Sequence, residues 1–147
     1  MRALSLPDCE ELLARHHVGR LAFAFCDRVD IQPVHYVYDA GWIYGRTSGG
    51  AKLTALTHHP WVAFEVDEVR DTFDWASVVV KGSFHRLDPG GSPREGAVAV
   101  YAAALLRTLV PATLTTEDPV PFRAVLYRIA LDEVTGRAAS PRATDTP

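Results

Sequence analysis

Apolar positions along this chain recur with two periods, and the points where the period changes divide it into elements. Residues 5–17 read as a short amphipathic helix. Ser5 and Asp8 are candidate N-caps, Pro7 sits in the first turn, and Asp8, Glu10 and Glu11 lie where the helix dipole favours acids. Leu12 and Leu13 face inward, and the His16–His17 pair comes near the end, before Gly19. From Val18 the period drops to two, which predicts a strand to residue 25 and a hairpin turn at Cys26-Asp27-Arg28. A second strand is expected over 29–39, ending in Asp39-Ala40-Gly41, and a third over 42–46.

Thr47-Ser48-Gly49-Gly50 interrupts the alternation, and a short helix is expected from about 50 to 58, stopped by Pro60. A fourth strand follows at 61–67, then a polar loop at 68–74. A long fifth strand covers 76–87 and runs through Gly82, where the missing side chain signals a bulge or a close approach. Ser92 with Glu95 forms a capping box for a helix over 93–109, whose stripe is Val98, Tyr101, Ala102, Leu105, Leu106 and Leu109. A loop at 110–121 holds Pro111, Pro119 and Pro121, and a last strand spans 122–134, with Val125, Tyr127, Ile129 and Leu131 on one face. Residues 137–147 lack periodicity and are expected to be a flexible tail after a single domain at 1–136.

Six strands joined mostly by short turns, with flanking helices, predict a mainly β fold: an antiparallel, closed or nearly closed barrel. There is no βαβ alternation and no G-x-G-x-x-G, which removes a dinucleotide-binding Rossmann domain. The 147 residues match one domain. Fifteen basic against 18 acidic residues give a net charge of −3, which argues against a broad nucleic-acid or anionic-membrane surface. Cys9 and Cys26 have neither zinc-site nor C-x-x-C spacing and read as reduced thiols. The first residues lack the apolar run of a signal peptide, and no stretch is long enough to span a membrane, so a cytoplasmic location is expected.

The stretch richest in chemistry is Arg46-Thr47-Ser48-Gly49-Gly50-Ala51-Lys52. A strand ends at a cation, and two hydroxyls and two glycines then lead into a helix that carries a second cation. Exposed N–H groups at a helix start, together with Arg46 and Lys52, suit a phosphate monoester. The same residues would also fit a simple capped turn with solvated cations, and the stretch is not a Walker A loop. Ser77, at the entrance of an apolar strand beside Trp75, either bonds to backbone there or faces a ligand. Pro33 within Pro33-Val34-His35-Tyr36 marks a sheet edge or a position where no ladder bond is needed.

In order, the chain carries Val18-Gly19-Arg20-Leu21-Ala22, Pro33-Val34-x-Tyr36-x-Tyr38, Ile43-Tyr44-x-Arg46-Thr47-Ser48-x-Gly50-x-Lys52, His59-Pro60-x-Val62-Ala63-Phe64-Glu65-Val66-Asp67 and Trp75-x-Ser77-Val78-Val79-x-x-Gly82. This set resembles the FMN-binding split-barrel proteins of the pyridoxamine 5′-phosphate oxidase-like superfamily, closest to the flavin-nucleotide-binding and nitroimidazole-resistance-like branch. The resemblance covers about residues 4 to 135. It implies a homodimer with FMN in the groove between subunits. It also implies that Lys52 binds the FMN phosphate, with Arg46, Thr47 and Ser48 lining the phosphate and ribityl chain. By the same resemblance Pro33, Val34, His35 and Tyr36 belong to the strand whose backbone edge faces the flavin ring, and Trp75, Ser77 and Val78 to the segment touching its pyrimidine side. The oxidases place a basic residue before the matching lysine and an Arg-x-His-type segment near the end. Here Ala51 stands at the first position and nothing similar at the second, so the resemblance reaches the flavin site but not vitamin oxidation.

The expected function is therefore FMN-dependent oxidation or reduction of a small molecule, the flavin supplying the redox chemistry. His35 is the candidate proton donor. A deazaflavin in place of FMN, or a non-enzymatic flavin- or haem-binding carrier or sensor, is the alternative.

Overall fold

A computed structural model describes residues 1–141. The elements are β1 (Arg2–Ala3), α1 (Leu6–Arg15), β2 (Val18–Phe25), β3 (Arg28–His35), β4 (Val37–Asp39), β5 (Trp42–Thr47), α2 (Ala51–His58), β6 (Trp61–Asp71), β7 (Asp74–Leu87), α3 (Pro93–Arg107), β8 (Val125–Ala130) and β9 (Glu133–Ala139). All strand pairings are antiparallel, in the order β3-β2-β6-β7-β8-β5-β4, with β9 also on β7 and β1 on β9.

The class is the expected one, mainly β with three helices, but the hydrogen-bonded path does not close: β3 and β4 end it. There are nine strands among the described residues rather than six. The expected 29–39 strand divides at Tyr36, whose side chain turns inward and is fully buried. The expected polar loop at 68–74 is a hairpin instead. β6 runs on to Asp71 and only Thr72 and Phe73 turn, because β7 continues the ladder opposite it through Ala76, Trp75 and Asp74. The expected 122–134 strand is two strands, β8 and β9. Residues 137–139 are not tail but the end of β9, paired with Trp75–Ser77 and with β1; residues 142–147 lie outside the described residues.

β7 is the strand on which the sheet splits. One edge pairs with β6 along nearly its whole length. The other pairs first with β9, through Trp75–Lys81, and then with β8, through Phe84–Leu87. Gly82 lies at the changeover, where a Cβ would meet the Ala130 carbonyl oxygen. The close approach expected of this glycine is thus the point where β8 leaves and β9 begins.

Burial follows the period of two. Leu21, Phe23, Val62, Phe64, Val66, Val78 and Val80 point inward from β2, β6 and β7, and Leu12 and Leu13 of α1 and Leu53 and Leu56 of α2 cover them. A second cluster lies under α3, where Ala99, Ala102, Ala103 and Leu106 pack on Val37, Tyr44, Leu87 and Leu126. The buried stripe of α3 is therefore rotated towards its alanines, which allow a close helix-to-sheet approach. Tyr101 is left half exposed, its hydroxyl donating to the Asp39 carboxylate. Of the two candidates for α1 it is Ser5 that caps, accepting from the amide of Asp8, which lies in the first turn, and the predicted cap Ser92 accepts from the Glu95 amide.

Candidate functional site

The edge strand β3, the end of β5, the start of α2, the end of α3 and the segment 109–123 enclose a cavity of about 470 Å³. That is within the size range of small-molecule and cofactor sites. Pro33, Val34, His35, Arg46, Thr47, Ser48 and Lys52 all line it. Seven of the eleven residues proposed from sequence, drawn from two separate stretches, thus meet at one place.

The edge strand explains the proline. The Tyr36 amide donates to the His17 carbonyl, and Val34 and Gln32 pair with Gly19 and Leu21. The alternation of an antiparallel ladder then turns the backbone groups of Val34 and Gln32 towards β2, and those of Ile31, Pro33 and His35 away from it. Pro33 therefore removes no ladder bond, and the peptide groups of Pro33 and His35 face outward beside the cavity.

The turn at 47–50 opens α2 at Gly50, whose φ of 117° suits glycine. Neither Thr47 nor Ser48 caps the helix: no side chain accepts from its first amides. Thr47 is nearly buried and Ser48 is exposed. Lys52, in the first turn of α2, is half-buried. Its Nζ donates to Gln32 Oε1 and lies 5.3 Å from the centre of the Phe23 ring. Burial pulls its pKa down; the Asp30 carboxylate opposes that and the Arg123 guanidinium adds to it.

Arg46 lines the cavity but its charge is already matched. Nη1 and Nη2 form a fork on the two Asp118 oxygens, the second at 3.0 Å, and the side chains are only 12% and 1% exposed. Asp118 also accepts from the Leu114 amide at 2.8 Å and the Val120 amide at 3.0 Å. The Arg46 fork, ahead of these amides, holds the Asp118 carboxyl well below the usual carboxylate range.

The remaining proposed residues lie elsewhere. Tyr36 is in the core, its hydroxyl donating to the Leu13 carbonyl at 2.7 Å, and Val78 is fully buried. Trp75 and Ser77 stand on the outer face of β7. Ser77 bonds to a side chain rather than to backbone: its Oγ donates to Glu65 at 3.0 Å, within a group that includes Arg20 and Asp67. Burial ahead of the neighbouring Asp67 raises the Glu65 pKa.

Three further residues belong to the cavity and carried no sequence motif: Gln32, Asp118 behind the wall, and Arg123. A proline-rich loop longer than about 12 residues between regular elements was the available signal, since such loops are usually functional. Among the described residues no group of His, Cys, Asp and Glu could hold a metal ion, and no helix is long and apolar enough to cross a membrane.

An open antiparallel sheet split along β7, with a cavity of cofactor size at its β3 edge, defines a mainly β split-sheet domain. Residues 5–138 match the pyridoxamine 5′-phosphate oxidase family, and the chain belongs to it. An uncharacterized protein of Rhizobium meliloti is 27% identical over 150 residues, 95% of each chain. The crystal structure of a FAD-binding protein from Mesorhizobium loti superposes with a TM-score of 0.75 at 27% identity, over 95% of this chain and 98% of that one. A FAD- and haem-binding protein from Mycobacterium smegmatis shares the fold, with a TM-score of 0.70 at 18% identity over 97% of this chain and 75% of that one.

Proposed function

We propose that this protein binds a flavin nucleotide, FMN in the first instance, and uses it to oxidise or reduce a small molecule. One observation carries the reading: a cavity of about 470 Å³ is lined by cations and hydroxyls together with apolar side chains such as Leu106, Val110 and Phe122, and has an unpaired strand edge beside it. The family membership and the FAD-binding Mesorhizobium relative support it. The donor set fits a flavin nucleotide. Lys52 and the Ser48 hydroxyl suit a phosphate, and the outward peptide groups of Pro33 and His35 offer the acceptors and donor that a flavin ring needs. When bound, the flavin supplies the electron-accepting and electron-donating chemistry. The chain's own residues bind, orient and exclude water. His35, exposed and lining the cavity, is the candidate proton donor to a substrate in this reading.

The working unit we propose is a homodimer. The outer face of the sheet carries Val29, Ile31, Trp61 and Val69, exposed at 84%, 63%, 69% and 69%, with Trp75 beside them. These surround the Arg20–Glu65–Ser77 group, and a second copy covering them would bring Trp75 and Ser77 into reach of a ligand as the resemblance implies. Exposed apolar clusters of this kind mark association surfaces.

The test is the protein's colour, the mass of what it releases and its size. Purified chain should show flavin absorption, release a chromophore with the mass of FMN and sediment as two chains. Released FAD or a deazaflavin would change the cofactor within the same reading. Colourless protein that takes up no added FMN would sink it. Oxidation of NAD(P)H with a quinone or nitroaromatic acceptor separates an enzyme from a carrier.

A further inference from the structure

Among the described residues, two arginines and one lysine line the cavity, and no carboxylate does. The arginines are in opposite situations. Arg46 and Asp118 are almost wholly covered, and the carboxylate is saturated by the Arg46 fork and by the Leu114 and Val120 amides. Turning Arg46 towards a ligand would strand that carboxylate without its counter-charge, a strongly unfavourable exchange. Arg46 also leans on the Arg123 carbonyl at 3.5 Å, and the Arg123 amide donates to the Val120 carbonyl at 3.0 Å. The backbone of Arg123 is thus fixed from both sides. Its guanidinium is exposed, 5.9 Å from the centre of the Phe122 ring.

We propose that Arg123 and Lys52 together hold a phosphate-type anion in this cavity, and that Arg46 is a positioning residue fixing the wall from which Arg123 reaches it. Two cations that share a cavity without a lining carboxylate repel each other, and an anion between them removes the repulsion. Among the described residues Asp30 is the acid that draws on Lys52, but it makes no direct bond to it: it accepts from the Ile31 amide at 2.8 Å and from Nε2 of Gln32 at 3.5 Å, the side chain whose Oε1 accepts from Lys52. An exposed, planar guanidinium lining the same cavity as a half-buried ammonium can take two oxygens of a phosphate while the ammonium takes a third. The proposal rests on the flavin reading only for the source of the phosphate. That source is either the flavin nucleotide or a phosphorylated substrate.

The experiment titrates flavin-free full-length chain with FMN and with riboflavin, which lacks the phosphate. Arg123→Ala should weaken FMN about 10-fold or more, leave riboflavin unchanged, and leave the thermal midpoint of the ligand-free chain unchanged. Asp118→Asn distinguishes the roles of the arginines. If Arg46 positions the wall, the preference for FMN over riboflavin falls; if Arg46 is itself a phosphate ligand, releasing it makes that preference rise, which overturns its assignment. Inorganic phosphate, compared with chloride at equal ionic strength, separates the sources. A phosphate-induced rise in midpoint of the FMN-saturated chain that Arg123→Ala abolishes, with FMN affinity unaltered, assigns the site to a substrate's phosphate. Equal weakening of FMN and riboflavin by Arg123→Ala, or no effect on either FMN affinity or the phosphate response, overturns the proposal. A wild-type chain that binds neither flavin defeats the flavin reading alone. The anion site then stands if phosphate stabilises the wild type and not Arg123→Ala, and falls if it stabilises neither.

Discussion

Gly82 passes so close to Ala130 that a side chain at 82 would lie on the 130 carbonyl oxygen. The contact sits where β7 exchanges one neighbour for another, with Phe84 paired to Ile129 on one side and Lys81 to Glu133 on the other. The Asp132 amide donates to the Lys81 carbonyl at 3.2 Å and completes the crossing. Backbone meets backbone there, so no flexible side chain can yield. Gly82→Ala should lower unfolding stability by about 3 kcal/mol or more, read as a fall in the denaturant midpoint. A change below about 0.5 kcal/mol would show that the two strands are not locked at this point.

Tyr127 is stacked on Phe84, with ring centroids 4.9 Å apart, and its hydroxyl is buried against Gly45 without a hydrogen-bond partner. Burial pushes its pKa far up. A buried hydroxyl with no partner has lost its water without return, whereas the ring's packing is intact. Tyr127→Phe should leave stability unchanged or raise it by about 1–2 kcal/mol. A loss of more than about 1 kcal/mol would mean that an ordered water or ligand group bonds to that hydroxyl.

Much of this architecture was legible because each strand buries one face. The alternation in 18–25 and 61–67 places Leu21, Phe23, Phe64 and Val66 inward without reference to any neighbour, and Ser5 and Ser92 mark their helix starts by a purely local bond. The elements that were missed depend on partners. Glu68 to Asp71 has the composition of a loop but remains in the ladder because β7 extends opposite it, and Arg137 to Ala139 become strand only through Ser77 and Arg2. The phosphate-suited stretch was visible as spacing along the chain. The fate of Arg46 was not, because Asp118 lies 72 positions away and nothing local links the two. Arg123 was hidden for the same reason.

Glu68 ties the end of α1 to β6. Arg15 Nη2 donates to it at 3.0 Å with Nε on the other oxygen, His16 Nε2 shares that oxygen, and Arg70 Nη1 donates at 3.3 Å. The bond from Arg15 is the largest cause that brings its pKa from 4.5 down to about 2. A carboxyl whose folded value is depressed stabilises the fold fully above its unfolded value and loses that contribution as pH falls through the folded one. The contribution is therefore complete above about pH 5 and disappears between 4.5 and about 2. With Arg15 nearly half exposed, solvent screening reduces it to about 1–2 kcal/mol. Glu68→Gln should be less stable than wild type at pH 7 by that amount and equal to it near pH 2. A constant difference across the range would show that the bond matters only through its geometry.

Ile31 stands on the outer face of the edge strand β3, opposite Ala22, which is itself paired with Ala63. Its side chain is 63% exposed and packs on none of the core clusters, so a charge there leaves the fold of one chain alone. If two copies meet on this face, Ile31→Glu buries an unpaired charge at the contact and should convert the dimer to monomer in sedimentation. Flavin retention should fall with it, because Trp75 and Ser77 are then left far from the cavity of a partner. Dimeric, flavin-loaded Ile31→Glu protein would move the subunit contact to another surface.

Lys52 holds its charge half-buried between Gln32 and the Phe23 ring. In the ligand-free chain that ammonium is partly stripped of water with a single neutral partner, so it contributes little to folding. A phosphate beside it supplies the missing counter-charge, and a hydrogen bond between charged groups is worth about 1.5–3 kcal/mol. Lys52→Met keeps the stem's bulk over Phe23 and removes only the charge. FMN affinity should fall about 10- to 100-fold, riboflavin affinity should change little, and the thermal midpoint of the ligand-free chain should stay the same or rise. The three readings together identify the ammonium as a phosphate contact. An equal loss for FMN and riboflavin would instead make Lys52 a support for the cavity wall through Gln32.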